Sequence, residues 1–476
     1  MSSVLLTIGR VHIIGIGGAG MSALARILVA QGVQVSGSDV VDSERLDALR
    51  ELGIAITVGH PPFTAIDPHL VVRSSAIADD DPTVLAARAA GIAIWSRADA
   101  LSDLMAQMAV AAVAGTHGKT TTSSMLTLML RAADIDCTYV IGSELAATGV
   151  NAALGTSQIA VVEADESDGT FLRLQPTCAV VTNIDCDHMD RWQSQEALET
   201  AFFDFVAGVG RSVDLVALCV DDAGARRLAQ RLAENASSPH VMTYGFDSMA
   251  DVRIEMLHES AMGVAFATSG ALVLETAVTH VPGRHNVLNA VAAAIVARHL
   301  GVESQTIVNG LAEYQGARRR FELRGTQAGV RVFDDYAHHP TAVAATLSAA
   351  QPVAKPGRVV ALCQPYRWYR TAMFTHEYAE ALAHADHTVL VDVYGPGEQP
   401  IAHKGSRQIA QLLSEAGGSV HFAESVAAAI EYLASTCAAG DVVLTLGGED
   451  IRPAGPLLLA ALAERARHGS NGAQHG

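Results

Sequence analysis

The segment Gly-Thr-His-Gly-Lys-Thr-Thr at positions 115–121 constrains the possible fold more than any other part of this chain. It lies between an apolar run at 109–114, typical of a buried strand, and a helical pattern that starts near Thr121. In such a turn, glycines let backbone amides cradle phosphate oxygens, a lysine neutralises the β and γ oxygens, and a threonine hydroxyl can ligate Mg²⁺. The spacing GxxGKT is two residues shorter than the common GxxxxGKT loop. The segment predicts a phosphate-binding loop made of Gly115, Thr116, His117, Gly118, Lys119, Thr120 and Thr121.

Lysine is scarce in this chain, which makes the lysine of the loop informative. Among 32 basic residues, only Lys119, Lys355 and Lys404 are lysines. The lysine ammonium is a compact point charge, whereas the arginine guanidinium is a planar fork. A lysine at position 119 therefore indicates that this loop needs a compact cation, and an ordinary helix start is the weaker explanation.

Two acidic segments follow apolar strands further along the chain. The first, at 163–168, reads Glu-Ala-Asp-Glu-Ser-Asp, and the second, at 183–190, reads Asn-Ile-Asp-Cys-Asp-His-Met-Asp. Neighbouring carboxylates repel one another unless solvent or a cation neutralises them. Each segment alone is as readily a solvated loop. Together, behind a phosphate loop, they predict a magnesium site.

The N-terminal region contains a second glycine-rich turn. Gly-Ile-Gly-Gly-Ala-Gly at 15–20 follows a strand predicted at 11–14 and opens a helix predicted at 21–31, and Asp39 ends the next strand. This βαβ arrangement is typical of sites that hold a phosphorylated nucleotide at a helix start, with a carboxylate on the ribose. It does not establish that the nucleotide is NAD, and a merely structural tight turn is the alternative.

Composition excludes several classes of protein. The formal net charge of −18 and the pI near 5.4 argue against broad nucleic-acid binding, which needs a basic surface. The six scattered cysteines contain no CxxC pair, so reduced thiols in a cytoplasmic protein are expected. The N-terminus lacks the basic region of a signal peptide, and no apolar run approaches the roughly 18 residues needed to span a bilayer. We therefore expect neither membrane nor nucleic-acid partners.

The length of 476 residues predicts about three domains. Strand and helix patterns alternate throughout, so all three are expected to be α/β, with an N-terminal Rossmann-like domain, a central P-loop ATPase-type domain and a C-terminal Rossmann-like domain. The predicted boundaries are 1–108, 109–317 and 318–476.

Three further clusters carry chemical groups. Asn286 and Asn289 lie three residues apart and so share one helix face, where they could read a base edge or simply cap the helix. Arginines fill 318–320, which alone would most often be a solvated charge run. The segment 334–340, Asp-Asp-Tyr-Ala-His-His-Pro, combines acid, aromatic and imidazole groups at a predicted strand end.

The motifs GIGGAGMS, GTHGKTTT, EADESD, DHMD, GRHNVLNA, RRFE and DYAHHP, in this order, resemble the Mur ligase family of peptidoglycan-synthesising enzymes over essentially the whole chain. The resemblance implies a UDP-sugar domain, a central ATPase domain and a C-terminal domain that binds the amino acid. It further implies an ATP- and Mg²⁺-dependent ligase that joins L-alanine to the lactyl carboxylate of UDP-N-acetylmuramate through an acyl phosphate.

The resemblance also implies roles for individual residues. The expected catalytic residues are Lys119, His188, His338 and Arg367. The metal ligands would be Thr120, Glu163 and His188. Outside the phosphate loop, the nucleotide would contact Asn286, Arg320 and Asp335. The UDP-sugar and acceptor side would involve Gly17, Gly18, Ala19, Gly20, Asp39, Ser74, Ser75 and Tyr336.

Some positions depart from the family pattern. Tyr366 stands where relatives often carry histidine in a Pro-His-Arg sequence, and Gly448-Glu449 stands within a turn that usually reads Gly-Ala-Gly-Asp. Some relatives also use a carbamylated lysine to bridge magnesium ions. No lysine lies between His188 and Lys355 here, so that device is absent from the equivalent segment.

Three other functions remain open at this level. A relative that attaches a recycled peptide to the same UDP-sugar typically has a cysteine in its first loop, where this chain reads Gly17-Gly18-Ala19. An NAD-dependent dehydrogenase would explain the first glycine loop but not the second. A non-enzymatic nucleotide-binding regulator would bind ATP without substrate-dependent phosphate release. Either a monomer or a homodimer is compatible with the sequence.

Overall fold

The structure is a computed structural model that describes residues 3–60, 67–74, 76–208, 210, 212–235 and 238–472. Contacts divide the chain into two compact units. The first comprises Met1–Glu255, Ala267–Ala277 and Leu288–Tyr314, and the second comprises Met256–Phe266, Val278–Val287 and Gln315–Gly476. Within the described residues the strands form three sheets with helices between them, which confirms the predicted α/β class. The first unit joins the first two predicted domains, so the boundaries at 108/109 and 317/318 stay predictions.

The first sheet has the strand order β3-β2-β1-β4-β5, and all its pairs are parallel. The predicted βαβ unit is present, with its helix starting two residues earlier than expected because the glycine turn ends at Gly18. The elements of this region are β1 (Arg10–Ile14), α1 (Ala19–Ala30), β2 (Gln34–Asp39), α2 (Glu44–Arg50), β3 (Ala55–Val58), β4 (Leu70–Arg73), α3 (Pro82–Ala89), β5 (Ala93–Ser96) and α4 (Arg97–Leu104).

The second sheet has the order β15-β14-β13-β12-β11-β10-β6-β9-β7-β8. Its strand β6 runs parallel to both neighbours, β10 and β9, so the carboxyl ends of these three strands meet at one edge. The elements up to that region are β6 (Ala109–Ala114), α5 (Lys119–Ala132), β7 (Thr138–Leu145), β8 (Val150–Ala153), β9 (Ile159–Glu163), a short 3-10 helix (Thr170–Arg173), β10 (Cys178–Val181), α6 (Met189–Trp192) and α7 (Gln195–Ala207). They are followed by β11 (Leu215–Cys219), α8 (Ala223–Ala233), β12 (His240–Gly245), β13 (Val252–Ser260), β14 (Gly263–Gly270), β15 (Leu274–Thr279), α9 (Arg284–His299) and α10 (Ser304–Ala312).

One apolar core joins the first two sheets within the first unit. Leu24 of α1 belongs to the same buried cluster as Val140 of β7 and Ala152 of β8. At this place the Asn151 side chain donates a 2.9 Å hydrogen bond to the carbonyl of Ala19, the first residue of α1. Burial of this shared surface, worth about 25 cal/mol per Å², explains why two predicted domains form one compact unit.

The second unit contains the third sheet, with the order β16-β17-β21-β18-β19-β20. Successive residues of β18 belong to different buried clusters: Val359 and Ala361 to one, Val360 and Leu362 to the other. Since neighbouring strand residues point to opposite faces, both faces of this sheet are covered. The elements are β16 (Glu322–Gln327), β17 (Val330–Asp335), α11 (Pro340–Ala354), β18 (Val359–Gln364), α12 (Trp368–Met373), α13 (Thr375–Leu382), β19 (His387–Leu390), α14 (Ser406–Glu415), β20 (Val420–Phe422), α15 (Val426–Thr436), β21 (Val442–Gly447) and α16 (Ala454–Gly472).

Two global features complete the fold. In the described part of the chain, no helix has the length and apolar character required to cross a lipid bilayer. All six cysteines are free thiols, and five of them are buried. Burial raises the pKa of four, including Cys137 and Cys363, to about 12, so these thiols stay protonated and unreactive at neutral pH.

Candidate active site

The phosphate loop connects β6 to α5 and needs glycine at two positions. Gly115 and Gly118 have φ values of +125° and +82°, which side-chain-bearing residues rarely adopt. A Cβ atom on Gly115 would collide with the Thr182 hydroxyl, and one on Gly118 would collide with the Asn289 amide oxygen. The helix begins at Lys119, earlier than the Thr121 start predicted, because Gly118 in the left-handed conformation ends the loop.

The loop is fixed by the chain that follows β10. Asn183 accepts a 2.8 Å hydrogen bond from the backbone amide of His117 and donates a 3.1 Å bond to its carbonyl. The Thr116 amide donates to the Asn183 carbonyl at 3.1 Å. The His117 ring lies 3.2 Å from the Asp185 carboxylate. These contacts preorganise the loop before any ligand binds.

Lys119 follows the loop directly, and its side chain is only 12% exposed. Its Nζ donates to the carbonyls of Gly115 at 2.7 Å and Thr116 at 3.2 Å, and to Glu166 Oε2 at 2.7 Å. Burial disfavours the charged ammonium, but the nearby carboxylates, Glu166 first, outweigh burial and raise the pKa of Lys119. Burial also raises the pKa of Glu166, whereas the charge of Lys119 acts to lower it. The lysine is therefore a permanent cation at this position.

Two of the expected metal ligands lie in direct contact. The Thr120 hydroxyl donates a 3.0 Å hydrogen bond to Glu163 Oε2, the last residue of β9. The same oxygen accepts a 2.7 Å bond from the backbone amide of Gly142. Hydroxyl and carboxylate oxygens are the ligands that Mg²⁺ prefers, so this pair fits the predicted ion.

His188 reaches the same edge of the sheet from the loop after β10. It precedes α6 in a left-handed conformation, with φ of +55°. Its Nε2 lies 3.6 Å from Asp187 Oδ2 and 4.0 Å from Glu166 Oε1. The structure thus brings His188 beside the carboxylate that holds Lys119, as expected from the converging strand ends. Its role as a metal ligand stays a prediction.

The two asparagines of α9 have different surroundings. The Asn286 amide donates a 2.7 Å hydrogen bond to the carbonyl of Pro282, just before its own helix. Asn289 instead lies directly against Gly118 of the phosphate loop. Only Asn286 was assigned to the nucleotide from the sequence. The three-residue spacing had pointed to both asparagines, because it places both side chains on one helix face.

The side chains of Asp39 and Arg97 lie against the first glycine loop. Asp39 accepts hydrogen bonds from the Gly17 amide at 2.8 Å and the Val41 amide at 3.2 Å, so this carboxylate supports the loop itself. The guanidinium of Arg97, the first residue of α4, fills the space where a Cβ on Gly20 would stand. The sequence analysis missed Arg97, because a single arginine at a predicted helix start carries no local signal. The Ser74 amide donates to the Ile14 carbonyl at 3.2 Å beside this loop. Ser75, also predicted for this site, lies outside the described residues.

Gly18 precedes α1 without requiring glycine torsions. Its φ and ψ are −61° and 145°, and a Cβ atom would meet only Gly15 O at 3.4 Å and Met21 Cγ at 3.8 Å. We expect Gly18→Val to fold with near-wild-type stability while the added side chain covers the amides at the helix start and weakens binding of a phosphorylated ligand. Isothermal calorimetry with UDP-sugars and ATP measures this, and ATP binding should be unchanged.

A matched control for that variant is Gly37→Ala in β2. A Cβ at Gly37 would collide with Ile16, so this change should destabilise the protein by about 1–3 kcal/mol. If Gly18→Val lost as much stability as Gly37→Ala, or bound UDP-sugars like the wild type, the assignment of the first loop would be wrong.

In the second unit, Asp335 ends β17 and is buried. Its carboxylate accepts 2.8 Å hydrogen bonds from the amides of Phe321 and Ala337. Burial raises the pKa of Asp335 even though the charge of Arg320 opposes this. Arg320 and Arg319 both lie over the Tyr336 ring, at 5.7 and 4.9 Å. The predicted residues Arg320, Asp335 and Tyr336 therefore lie together.

Arg319, which the sequence analysis grouped with a charge run, has a structural role. It pairs with the buried Asp334 at 3.0 Å and donates to the carbonyls of Gly447 at 3.0 Å and Gly448 at 2.8 Å. Glu449, the departure noted in this turn, lies 3.4 Å from the same guanidinium. The extra carboxylate thus has a cationic partner within the turn.

His338 is oriented for use as a base. Its Nδ1 lies 2.6 Å from the Tyr336 carbonyl, and since a carbonyl can only accept, Nδ1 carries the proton and Nε2 is the basic nitrogen. The ring packs edge-on against Tyr336 and Tyr366, at centroid distances of 4.7 and 5.5 Å. Arg367 lies next to Tyr366 with φ of +70°, and its Nε is 3.3 Å from Glu398. The predicted acceptor-side residues form one cluster.

Tyr366, which departs from the family pattern, contacts Gly448, which precedes Glu449 in the C-terminal glycine turn. A Cβ built on Gly448 would lie 2.6 Å from Tyr366 Cδ2. The Tyr366 ring also stacks on Tyr394 at 6.1 Å, which limits its freedom to move away. The glycine at 448 therefore accommodates the tyrosine at 366.

The contact between Tyr366 and Gly448 leads to a prediction about the free energy of unfolding. Gly448→Ala should destabilise the protein by about 1–3 kcal/mol, since overpacking forces side chains from their preferred rotamers. Tyr366→His, with its smaller ring, should restore stability when combined with Gly448→Ala. Denaturant unfolding of the two single variants and the double variant measures the coupling, and strictly additive effects would contradict it.

Comparisons with known proteins show the family to which this chain belongs. Three domain descriptions of one family match successive parts of the chain: "Mur ligase family, catalytic domain" over residues 10–108, "Mur ligase middle domain" over 113–297 and "Mur ligase, glutamate ligase domain" over 319–448. A UDP-N-acetylmuramate–L-alanine ligase from Paenarthrobacter aurescens is 46% identical over 96% of this chain and 98% of its own. The same enzyme from Kineococcus radiotolerans is 46% identical over 96% and 97%. The chain belongs to the Mur ligase family.

Solved structures separate two branches of the family. A UDP-N-acetylmuramate–alanine ligase from Thermotoga maritima aligns with a TM-score of 0.80 at 28% identity, over 97% of this chain and 99% of that one. A murein peptide ligase from Psychrobacter arcticus aligns with a TM-score of 0.68 at 26% identity, over 96% and 99%. The backbone is thus more similar to the alanine-adding structure.

Proposed function

We propose that this protein uses ATP to join L-alanine to the lactyl carboxylate of UDP-N-acetylmuramate, a step of peptidoglycan synthesis. The observation that carries the proposal is the enclosed Lys119 ammonium in a preorganised phosphate loop, beside the Thr120–Glu163 pair. A carboxylate is a poor electrophile, so amide formation in water requires activation, and a triphosphate site supplies it. The full-length similarity to alanine ligases supports the choice of substrates.

In the first step, a lactyl carboxylate oxygen attacks the γ-phosphorus of ATP, the bond from that phosphorus to ADP breaks, and ADP leaves while the acyl phosphate forms. The loop amides and Lys119 bind the β and γ oxygens and stabilise the charge that the transition state spreads over them. Thr120, Glu163 and His188 would hold Mg²⁺, which supplies Lewis-acid stabilisation of the phosphoryl group when bound. The contacts of Asn183 keep the loop in place, so little reorganisation accompanies the reaction.

In the second step, the alanine amine attacks the acyl carbon, and phosphate leaves as the amide forms. The amine loses a proton, which Nε2 of His338 can accept because its Nδ1 already donates to a carbonyl. Arg367 is proposed to bind the alanine carboxylate, since a guanidinium pairs well with a carboxylate. Asp335 and Arg320 are proposed to contact the nucleotide ribose and phosphate, respectively.

Phosphate release from UDP-N-acetylmuramate and Mg-ATP, screened across all amino acids, tests the proposal. We expect release to depend on both substrates and to be greatest with L-alanine, with one UDP-N-acetylmuramoyl-alanine formed per phosphate. Release that requires a tripeptide instead of L-alanine would favour the recycling branch of the family. NAD binding by the wild type would favour a dehydrogenase, and ATP binding without turnover a regulator.

The setting of this activity is proposed from the same reasoning. We propose a cytoplasmic location, because all six cysteines are free thiols, as is usual in a reducing compartment. A monomer or a homodimer remains the expectation, which sedimentation of the purified protein would decide.

A further inference from the structure

Glu166 is a buried carboxylate at the phosphate loop to which no role has been given so far. Its side chain is only 1% exposed, and its Oε2 accepts a 2.7 Å hydrogen bond from the Lys119 ammonium. Its backbone is held in place, because the Glu166 carbonyl accepts from the Gly169 amide at 3.1 Å and from the Trp192 indole at 3.2 Å. The carboxylate is therefore fixed at this position rather than drawn in from solvent.

All three protons of the Lys119 ammonium take part in hydrogen bonds. An ammonium has three protons, and those of Lys119 go to Gly115 O, Thr116 O and Glu166 Oε2. A phosphate oxygen that binds Lys119 must displace one of these acceptors. The two carbonyls belong to the loop that cradles the phosphates, whereas Glu166 is an anion that competes with phosphate for the same cation.

The second oxygen of Glu166 has no such partner. Oε1 is buried and accepts no hydrogen bond from any described residue, and His188 Nε2 lies 4.0 Å away. Without Lys119, the carboxylate would be a buried charge with little compensation, which is strongly unfavourable. The lysine and the glutamate therefore hold each other at the loop.

We propose that Glu166 is a positioning residue that keeps the Lys119 ammonium in the loop before nucleotide binds, and that it competes with the nucleotide phosphates for that ammonium. The inference rests on the nucleotide site of the proposed function but not on the identity of the other substrates. It means that the protein gives up part of its nucleotide affinity to keep an enclosed lysine ordered and neutralised. The same competition favours release of ADP.

Glu166→Gln tests this directly, because glutamine keeps the size of the side chain and removes the charge. We expect the dissociation constant for Mg-ADP, measured by calorimetry on the full chain, to fall at least threefold. A fold defect would weaken binding, so a tighter complex is a readout that a merely structural role does not produce. Glu166→Asp, which restores the charge, should return the affinity toward that of the wild type. Glu196→Gln, which makes the same change at an exposed carboxylate on α7, is the matched control and should leave the affinity unchanged.

The Lys119→Met background separates competition from direct repulsion. If Glu166 acts through the lysine, the gain from Glu166→Gln should shrink at least twofold when Lys119 is methionine. An equal gain in both backgrounds, or an unchanged or weaker affinity of Glu166→Gln in the wild-type background, would overturn the proposal. Failure of the wild type to bind Mg-ADP would instead overturn the nucleotide site and with it the proposed function.

Discussion

Lys119→Ala is expected to lower turnover by about a hundredfold or more while substrate binding to the first glycine loop is retained. The ammonium stabilises charge on the transferring phosphoryl group, and loss of such a contact costs on the order of 3 kcal/mol, where each 1.4 kcal/mol is tenfold in rate. Phosphate release under saturating substrates measures this effect. Lys119→Arg should fail as well, because a planar guanidinium does not match the three acceptors around a compact ammonium.

The same variant removes the cation beside Glu166, so its stability must be measured separately. An unpaired buried carboxylate costs roughly 3–5 kcal/mol unless it binds a proton. The double variant Lys119→Ala/Glu166→Gln, which carries no buried charge at this position, should recover stability without recovering turnover. A single variant that loses less than about tenfold in phosphate release would show that the phosphate loop has been assigned wrongly.

His188→Asn is expected to raise the magnesium concentration needed for half-maximal activity by about tenfold or more, in line with the 10–100-fold effects of perturbing metal sites. Asparagine is the appropriate replacement because position 188 has φ of +55°, a conformation that asparagine tolerates and alanine does not favour. Activity assayed across a magnesium titration gives the shift.

Affinity for the UDP-sugar serves as the internal control of the His188 experiment. It should stay within about twofold of the wild type, because the first glycine loop lies on other strands. A magnesium titration superimposable on that of the wild type would remove His188 from the metal ligands and leave Thr120 and Glu163 as the expected pair.

The glycines of the two loops show what the sequence could predict and what required the structure. Gly115 and Gly118 were predicted as loop residues from their spacing, and their positive φ values explain the choice of glycine. Gly18 also belongs to a glycine loop predicted from the sequence, but its φ of −61° is one that any residue adopts. A glycine pattern reveals where a phosphate loop lies, but the reason for each glycine depends on which atoms approach it.

The domain organisation likewise was predicted only in part from the sequence. Strand and helix patterns predicted the α/β class, and the strands predicted at 11–14 and 109–114 correspond to β1 and β6 to within one residue. They did not predict that α1 packs on β7 and β8 in one continuous core. An apolar face in a sequence does not indicate which other helix or strand it will pack against.

The sequence alone therefore determined the motifs that depend on local order: the phosphate loop, the acidic strand ends and the aromatic–imidazole segment. Each is a short run whose chemistry is complete within a few residues. Only the tertiary structure revealed the pairs between distant residues, namely Lys119 with Glu166, Gly118 with Asn289, Gly20 with Arg97 and Gly448 with Tyr366. Such pairs form because a sheet brings strand ends together in space, and the distance between them along the chain is unrelated to that arrangement.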